Sequence, residues 1–108
     1  MEIEDMKYNE LIALIDKSDK DYDKELINSA FDFSRLHHVG QFRQSGEPYI
    51  CHPIEVAKII VGFGFDSDSV VASLLHDIVE DTDVTLDDLR AKFGAEIASL
   101  VDGVTKLG

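Results

Sequence analysis

The stretch LLHDIVEDT, residues 74–82, decides how the rest of the sequence is read. At about 100° per residue around a helix, Leu74, Leu75, Ile78 and Val79 fall on one side. Val70 and Val71 extend that apolar face by a turn, so the spacing predicts a helix over about Asp68–Glu80. His76, Asp77, Glu80 and Asp81 take the opposite side, with His76 above Glu80 and Asp77 above Asp81. The pair Asp77 and Asp81 places like charges at i,i+4, which costs a helix about a few tenths of a kcal/mol. A bound cation would offset that cost, and a solvated polar face is the plainer explanation. This helix alone does not choose between them.

Outward from this stretch the periodicity stays helical. Leu11, Ile12, Leu14 and Ile15 predict a short first helix ending near Lys17-Ser18. A second runs from about Asp21 to His38 and stops at Gly40. GQFRQSGEPYICHP, residues 40–53, is rich in turn formers, and its Gly46–Pro48 region reads as a turn. Pro53 suits the first position of a third helix, which GFGF (62–65) breaks. Thr85 reads as an N-cap, with Asp88 three residues on. AEIASLVDGVTKL (95–107) repeats apolar residues at Ile97, Leu100, Val101, Val104 and Leu107. The expectation is an all-α bundle of five or six helices, with no hairpin. The last pattern reaches the end of the chain without a polar tail, which reads as a piece of something longer.

The chain has 108 residues, enough for one small domain, and 44% of them are hydrophobic, which supports a packed core. Ten basic residues against 22 acidic ones give a formal charge of −12. Such a surface repels phosphate backbones and anionic membranes, so nucleic acid and membrane are not expected partners. A small anionic ligand would need a local positive centre, a metal ion or a well-placed Arg. No apolar run is long enough for a spanning helix, and the first ten residues are acidic, unlike a signal peptide. A single cysteine, Cys51, suits a reducing cytosol, and the expected location is cytoplasmic.

His76 and Asp77 can share one divalent cation if a second segment completes the shell; manganese, iron and zinc all accept such ligands. His52, beside Pro53 at a helix start, is the natural second contributor, although alone it reads as a surface or capping residue. His37 and His38 sit at a helix end, where imidazolium suits the dipole, and no further role is expected of them. Glu80 and Asp81 lie one turn past the His-Asp pair, close enough to act on a water rather than on the ion. Arg43, in a loop that reads as mobile, could stack on a base or neutralise a phosphate. Cys51 reads as a small half-buried side chain rather than a nucleophile, since nothing nearby lowers its pKa.

GQFRQSGEPYICHP, the LLHDIVEDT helix, then FG (93–94) and LVDGVTKL (100–107) occur in this order, and together they resemble the N-terminal hydrolase domain of RelA/SpoT homologues. These are bacterial enzymes that make and degrade the alarmones ppGpp and pppGpp, and the resemblance covers roughly residues 26–108. It implies an HD-type fold, with His52, His76 and Asp77 as metal ligands and manganese as the usual metal. It implies that Glu80 and Asp81 position and activate the attacking water. Arg43, Gln44 and Ser45, in the loop that reads RxSGEPY, would line the guanosine nucleotide pocket.

The implied reaction is hydrolysis of the 3′-diphosphate, giving GDP or GTP and pyrophosphate. Members that only synthesise alarmone tend to have lost the HD pair, and this sequence keeps it. The family's fourth protein ligand, a downstream Asp close to a nucleotide-contacting Asn, has no counterpart before Gly108. The expectation is therefore residues 1–108 as the N-terminal part of one such domain, prone to self-association as a homodimer through Leu100, Val104 and Leu107. Two other readings are an HD phosphohydrolase acting on another nucleotide and a truncated, non-catalytic nucleotide- or partner-binding module.

Overall fold

A computed structural model of the chain describes residues 2–107, with side chains described through residue 104. Six α-helices make up the regular structure of the described residues: α1 (Ile3–Lys17), α2 (Lys24–His37), α3 (Cys51–Gly62), α4 (Ser67–Asp81), α5 (Leu86–Phe93) and α6 (Ala95–Leu107). The all-α expectation is met, at the upper end of its helix count.

The centre is α4. It packs against α2, α3 and α6, while α1 lies on α3 and α5 on α6. Leu74, Leu75 and Ile78 are fully buried, as are Val70 and Val71 one turn earlier. Burying a side chain of this size contributes about 1.5–3 kcal/mol, so α4, with His76 and Asp77 on it, is held by packing on several sides. The start of α4 is fixed by Asp66, whose carboxylate accepts from the Ser69 amide at 3.0 Å. At its other end the Thr82 hydroxyl donates to the Ile78 carbonyl. These bounds lie within one residue of the spacing-based helix.

Three boundaries differ. The second helix begins at Lys24 rather than Asp21, because the Asp23 side chain accepts from the Leu26 amide and makes itself the N-cap. The first helix is much longer than the apolar run around Leu11 suggests. Its polar turns are held from other helices, by Arg35 on Asp5, Glu55 on Lys7 and Lys58 on Glu10, each at 2.9 Å. The third helix starts at Cys51, two residues before Pro53. The Cys51 and His52 amides find the Pro48 and Tyr49 carbonyls at 3.1 and 2.9 Å, forming a tight turn that leads into the helix. Pro53 is tolerated in this first turn, where its missing N–H is no loss.

Thr85 caps α5 as expected, in a reciprocal box with Asp88. Gly94, at φ 99°, separates α5 from α6. On α6, Ile97, Ala98 and Val101 are buried, whereas Leu100 and Val104 are exposed. The expected exposure of Leu107 lies outside the described side chains.

The loop at 40–50 is more ordered than its composition suggests. Phe42 and Pro48 form an isolated antiparallel bridge, and the Arg43 amide donates to the Glu47 carbonyl at 2.8 Å. Gly46, at φ 92°, closes the turn and donates to the Arg43 carbonyl at 2.9 Å. The result is a hydrogen-bonded turn with one isolated bridge, in the segment expected to hold a turn.

Candidate metal centre

The first turn of α3 and the middle of α4 converge on three side chains. His52, His76 and Asp77 each offer a ligand atom, and these atoms lie within 4.8 Å of one another. Asp77 Oδ1 is 3.1 Å from His76 Nε2, and its Oδ2 is 3.9 Å from His52 Nε2. Two donors bound to one ion at about 2.1 Å each can be no more than about 4.2 Å apart. A modest side-chain adjustment therefore closes this set on a cation.

The tautomer of His76 supports the same chemistry. Its Nδ1 lies 2.7 Å from the Ser73 carbonyl, which can only accept, so Nδ1 carries the proton. In the neutral ring this leaves the Nε2 lone pair facing the cluster, the arrangement found when a histidine binds metal. The donor set of two imidazoles and one carboxylate fits a borderline divalent ion and does not select among manganese, iron and zinc.

Electrostatics tie the pair together. The hydrogen bond that the protonated His76 ring donates to the Asp77 carboxylate raises the His76 pKa above its ordinary value, against the opposing pull of burial. Burial pushes the Asp77 carboxyl upward, but the hydrogen bond and charge of His76, the Tyr49 hydroxyl and His52 together hold it below its ordinary value. Asp77 is 7% exposed, so the polar side of α4 is not the solvent-facing surface that helical periodicity suggests. The Asp77 carboxylate lies under Tyr49 and His52, which come from the loop before α3 and from its first turn.

The remaining expected site residues are less closely engaged. Glu80 and Asp81 are exposed at the end of α4. Their charges reach the centre, Glu80 adding to the upward shift of His76 and both adding to that of Tyr49. The Asp81 backbone carbonyl accepts from Gln41 Nε2 at 3.3 Å. A groove beside it is lined by His37, Gln41, Asp81, Asp83 and Asp88, too acidic to receive a polyphosphate by itself. Arg43 pairs with Glu55 at 3.3 Å, and Glu55 lies three residues beyond His52 on α3. Gln44 and Ser45 are exposed at the loop tip, where the Ser45 hydroxyl lies 3.5 Å from the Glu47 amide.

One sequence reading needs correction. Cys51 is fully rather than half buried, and burial pushes its thiol pKa upward, which keeps it the inert small side chain expected. His38 is at the end of α2 as expected, its C-cap; it is buried there, and its Nδ1 lies 2.8 Å from Gln41 Oε1.

Comparison with known proteins decides the family. A family model described as "HD domain" matches residues 30–108, most of the chain. The chain belongs to the HD domain family. This HD domain is 45% identical over 84 residues to a guanosine-3′,5′-bis(diphosphate) 3′-pyrophosphohydrolase of Aquifex aeolicus, covering 78% of this chain and 12% of that protein. It is 51% identical over 87 residues to a GTP pyrophosphokinase of Myxococcus xanthus, covering 81% and 12%. With a 3′-pyrophosphohydrolase of Haemophilus influenzae, named for the same bis(diphosphate), it shares 56% identity over 70 residues, covering 65% and 10%. The resemblance to RelA/SpoT-type HD domains is thus met at the level of sequence. The chain spans about a tenth of the length of the curated relatives it matches.

Tyr49 and Ser73 contact the cluster and were not singled out from the sequence. Tyr49 donates its hydroxyl to Asp77 Oδ2 at 3.1 Å from 28 positions away, a contact that no local pattern reveals. The Ser73 carbonyl could have been anticipated, because a histidine three residues on in a helix can turn its ring back to it.

Proposed function

We propose that this HD domain holds a divalent cation through His52, His76 and Asp77 and serves hydrolysis of the 3′-diphosphate of ppGpp or pppGpp. The observation that carries this reading is the convergence of those three ligand atoms within 4.8 Å. Relatives with the same domain that are named guanosine-3′,5′-bis(diphosphate) 3′-pyrophosphohydrolases support the choice of substrate. Manganese is the metal proposed, on the strength of the family resemblance, in a cytoplasmic setting.

A divalent cation in this position would polarise a phosphoryl oxygen and lower the pKa of a nearby water. The protein's own groups supply the rest. Glu80 and Asp81 hold the attacking water in line and accept its proton as it attacks the phosphorus bonded to the ribose 3′-oxygen. The bond between that oxygen and phosphorus breaks, pyrophosphate leaves, and the 3′-oxygen gains a proton. Arg43, with Gln44 and Ser45 beside it, receives the nucleotide; its guanidinium must exchange Glu55 for phosphate or base. A surface of charge −12 meets a polyanion only where the cation and Arg43 reverse the sign locally.

A panel of ppGpp, dGTP and cyclic nucleotides, assayed with manganese, tests the assignment. Release of pyrophosphate from ppGpp alone is expected. Preference for another nucleotide would leave the metal centre standing and overturn the substrate.

A further inference from the structure

Asp77 is the only carboxylate in the three-residue cluster, and the position of its two oxygens decides whether the cluster can close on an ion. One oxygen, Oδ1, faces His76. The other, Oδ2, accepts from the Tyr49 hydroxyl at 3.1 Å. We propose that Tyr49 is the positioning residue of the metal centre, its hydroxyl holding the Asp77 carboxylate in the orientation that directs Oδ1 at the ion. The proposal rests on the reading of His52, His76 and Asp77 as ligands.

The phenol is itself held in place. The Tyr49 amide donates to the Gln41 carbonyl at 2.8 Å, anchoring the residue at the base of the loop. Its ring lies between two imidazoles, with centroids 5.0 Å from His38 and 5.9 Å from His52. His38 is fixed in turn, because Gln41 Nε2 donates to the Asp81 carbonyl and leaves Oε1 to accept from His38 Nδ1. A donor with this little freedom selects one carboxylate orientation, whereas a water in its place would not.

The proton stays on the phenol. An ordinary phenol ionises only at about pH 10, so the hydroxyl at 3.1 Å from Asp77 Oδ2 acts as a neutral donor rather than an anionic ligand. The plainer explanation is that a half-buried tyrosine has satisfied its own hydroxyl. The two explanations differ in what removal of the oxygen does. A hydroxyl that only satisfies itself leaves metal affinity alone, whereas loss of a partner that orients a ligand typically costs about 10–100-fold.

The experiment is a manganese titration of the wild type, Tyr49→Phe and Asp77→Ala by calorimetry, with circular dichroism and thermal melts in chelator. Tyr49→Phe is expected to weaken manganese binding by about tenfold or more, with helicity kept. Cobalt substitution is expected to show altered visible absorption in the same variant. Wild-type affinity and an unchanged cobalt spectrum in Tyr49→Phe, with binding lost in Asp77→Ala, would overturn the role of Tyr49 and leave the centre intact. Unchanged binding in Asp77→Ala would overturn the ligand assignment, and the proposal with it. A second readout uses the wild-type fold without metal. The Tyr49 hydroxyl proton should exchange slowly by NMR and lose that protection in Asp77→Ala; fast exchange in both would contradict the hydrogen bond.

Discussion

The candidate ligands on α4 and the loop at 40–50 are held in place by opposite means. His76 and Asp77 project from a helix whose neighbouring side chains, Leu74, Leu75 and Ile78, are completely buried. Their positions are set by hydrophobic packing, and the Asp77 carboxylate is steadied by His76 and Tyr49. Arg43, by contrast, stands on a short turn and is held by Glu55 and, more distantly, Glu47, in partly exposed ion pairs. Exposed pairs of this kind are worth about 0.2–1 kcal/mol. His76 and Asp77 thus stand on a core helix, while the loop groups proposed to meet the nucleotide remain able to exchange partners.

The sharpest way to break this contrast is through the packing. Leu75→Ala should destabilise the fold by about 2–5 kcal/mol, and metal binding should weaken with it although Leu75 touches no ion. The check is a thermal melt alongside a manganese titration. A large loss of stability with unchanged affinity in the folded fraction would separate the ligand set from its hydrophobic frame.

Glu80→Gln keeps size and hydrogen bonding while removing the charge. It should lower ppGpp turnover by about a hundredfold, the scale of a lost general base, with manganese affinity largely kept. Wild-type turnover would make Glu80 a solvated acid at a helix end.

A pH titration sharpens the comparison further. Asp77 raises the His76 pKa, so the protonated ring is favoured in the folded protein. That ion pair contributes stability that is fully present below the ordinary histidine value of about 6.5. It is lost as pH rises through the higher folded value. Metal needs the neutral ring, so binding should release a proton, and affinity should fall by up to about tenfold per pH unit below the folded pKa. Affinity that does not change with pH across this range would remove His76 from the ligand set.

The smallest effect belongs to the loop. Arg43→Ala should weaken nucleotide binding by about fivefold, the upper end of an exposed ion pair at ~1 kcal/mol, and leave manganese binding unchanged. A loss of metal affinity in Arg43→Ala would show that the loop and the centre are not independent.

The sequence revealed the fold where local chemistry sets it. The bounds of α4 and the N-cap of α5 follow from apolar spacing and from Thr85 with Asp88. The length of α1 does not, because its polar turns are held by ion pairs from α2 and α3, contacts that no window of neighbouring residues contains. In the candidate site, the adjacent His76 and Asp77 were visible as a pair on one helix. Helical periodicity, however, cannot say whether a polar face meets water or other protein. Burial of Asp77 comes from Tyr49 and His52, whose approach depends on a turn formed before α3. The same limit holds for His38, whose place at a helix end was legible while its burial was not.

The central claim is that His52, His76 and Asp77 form one cation site, and calorimetric titration of manganese into the wild type, His76→Ala and Asp77→Ala tests it most directly. One ion bound per chain is expected in the wild type and none measurable in either variant, with both variants still helical. Undiminished affinity in the two variants would contradict it.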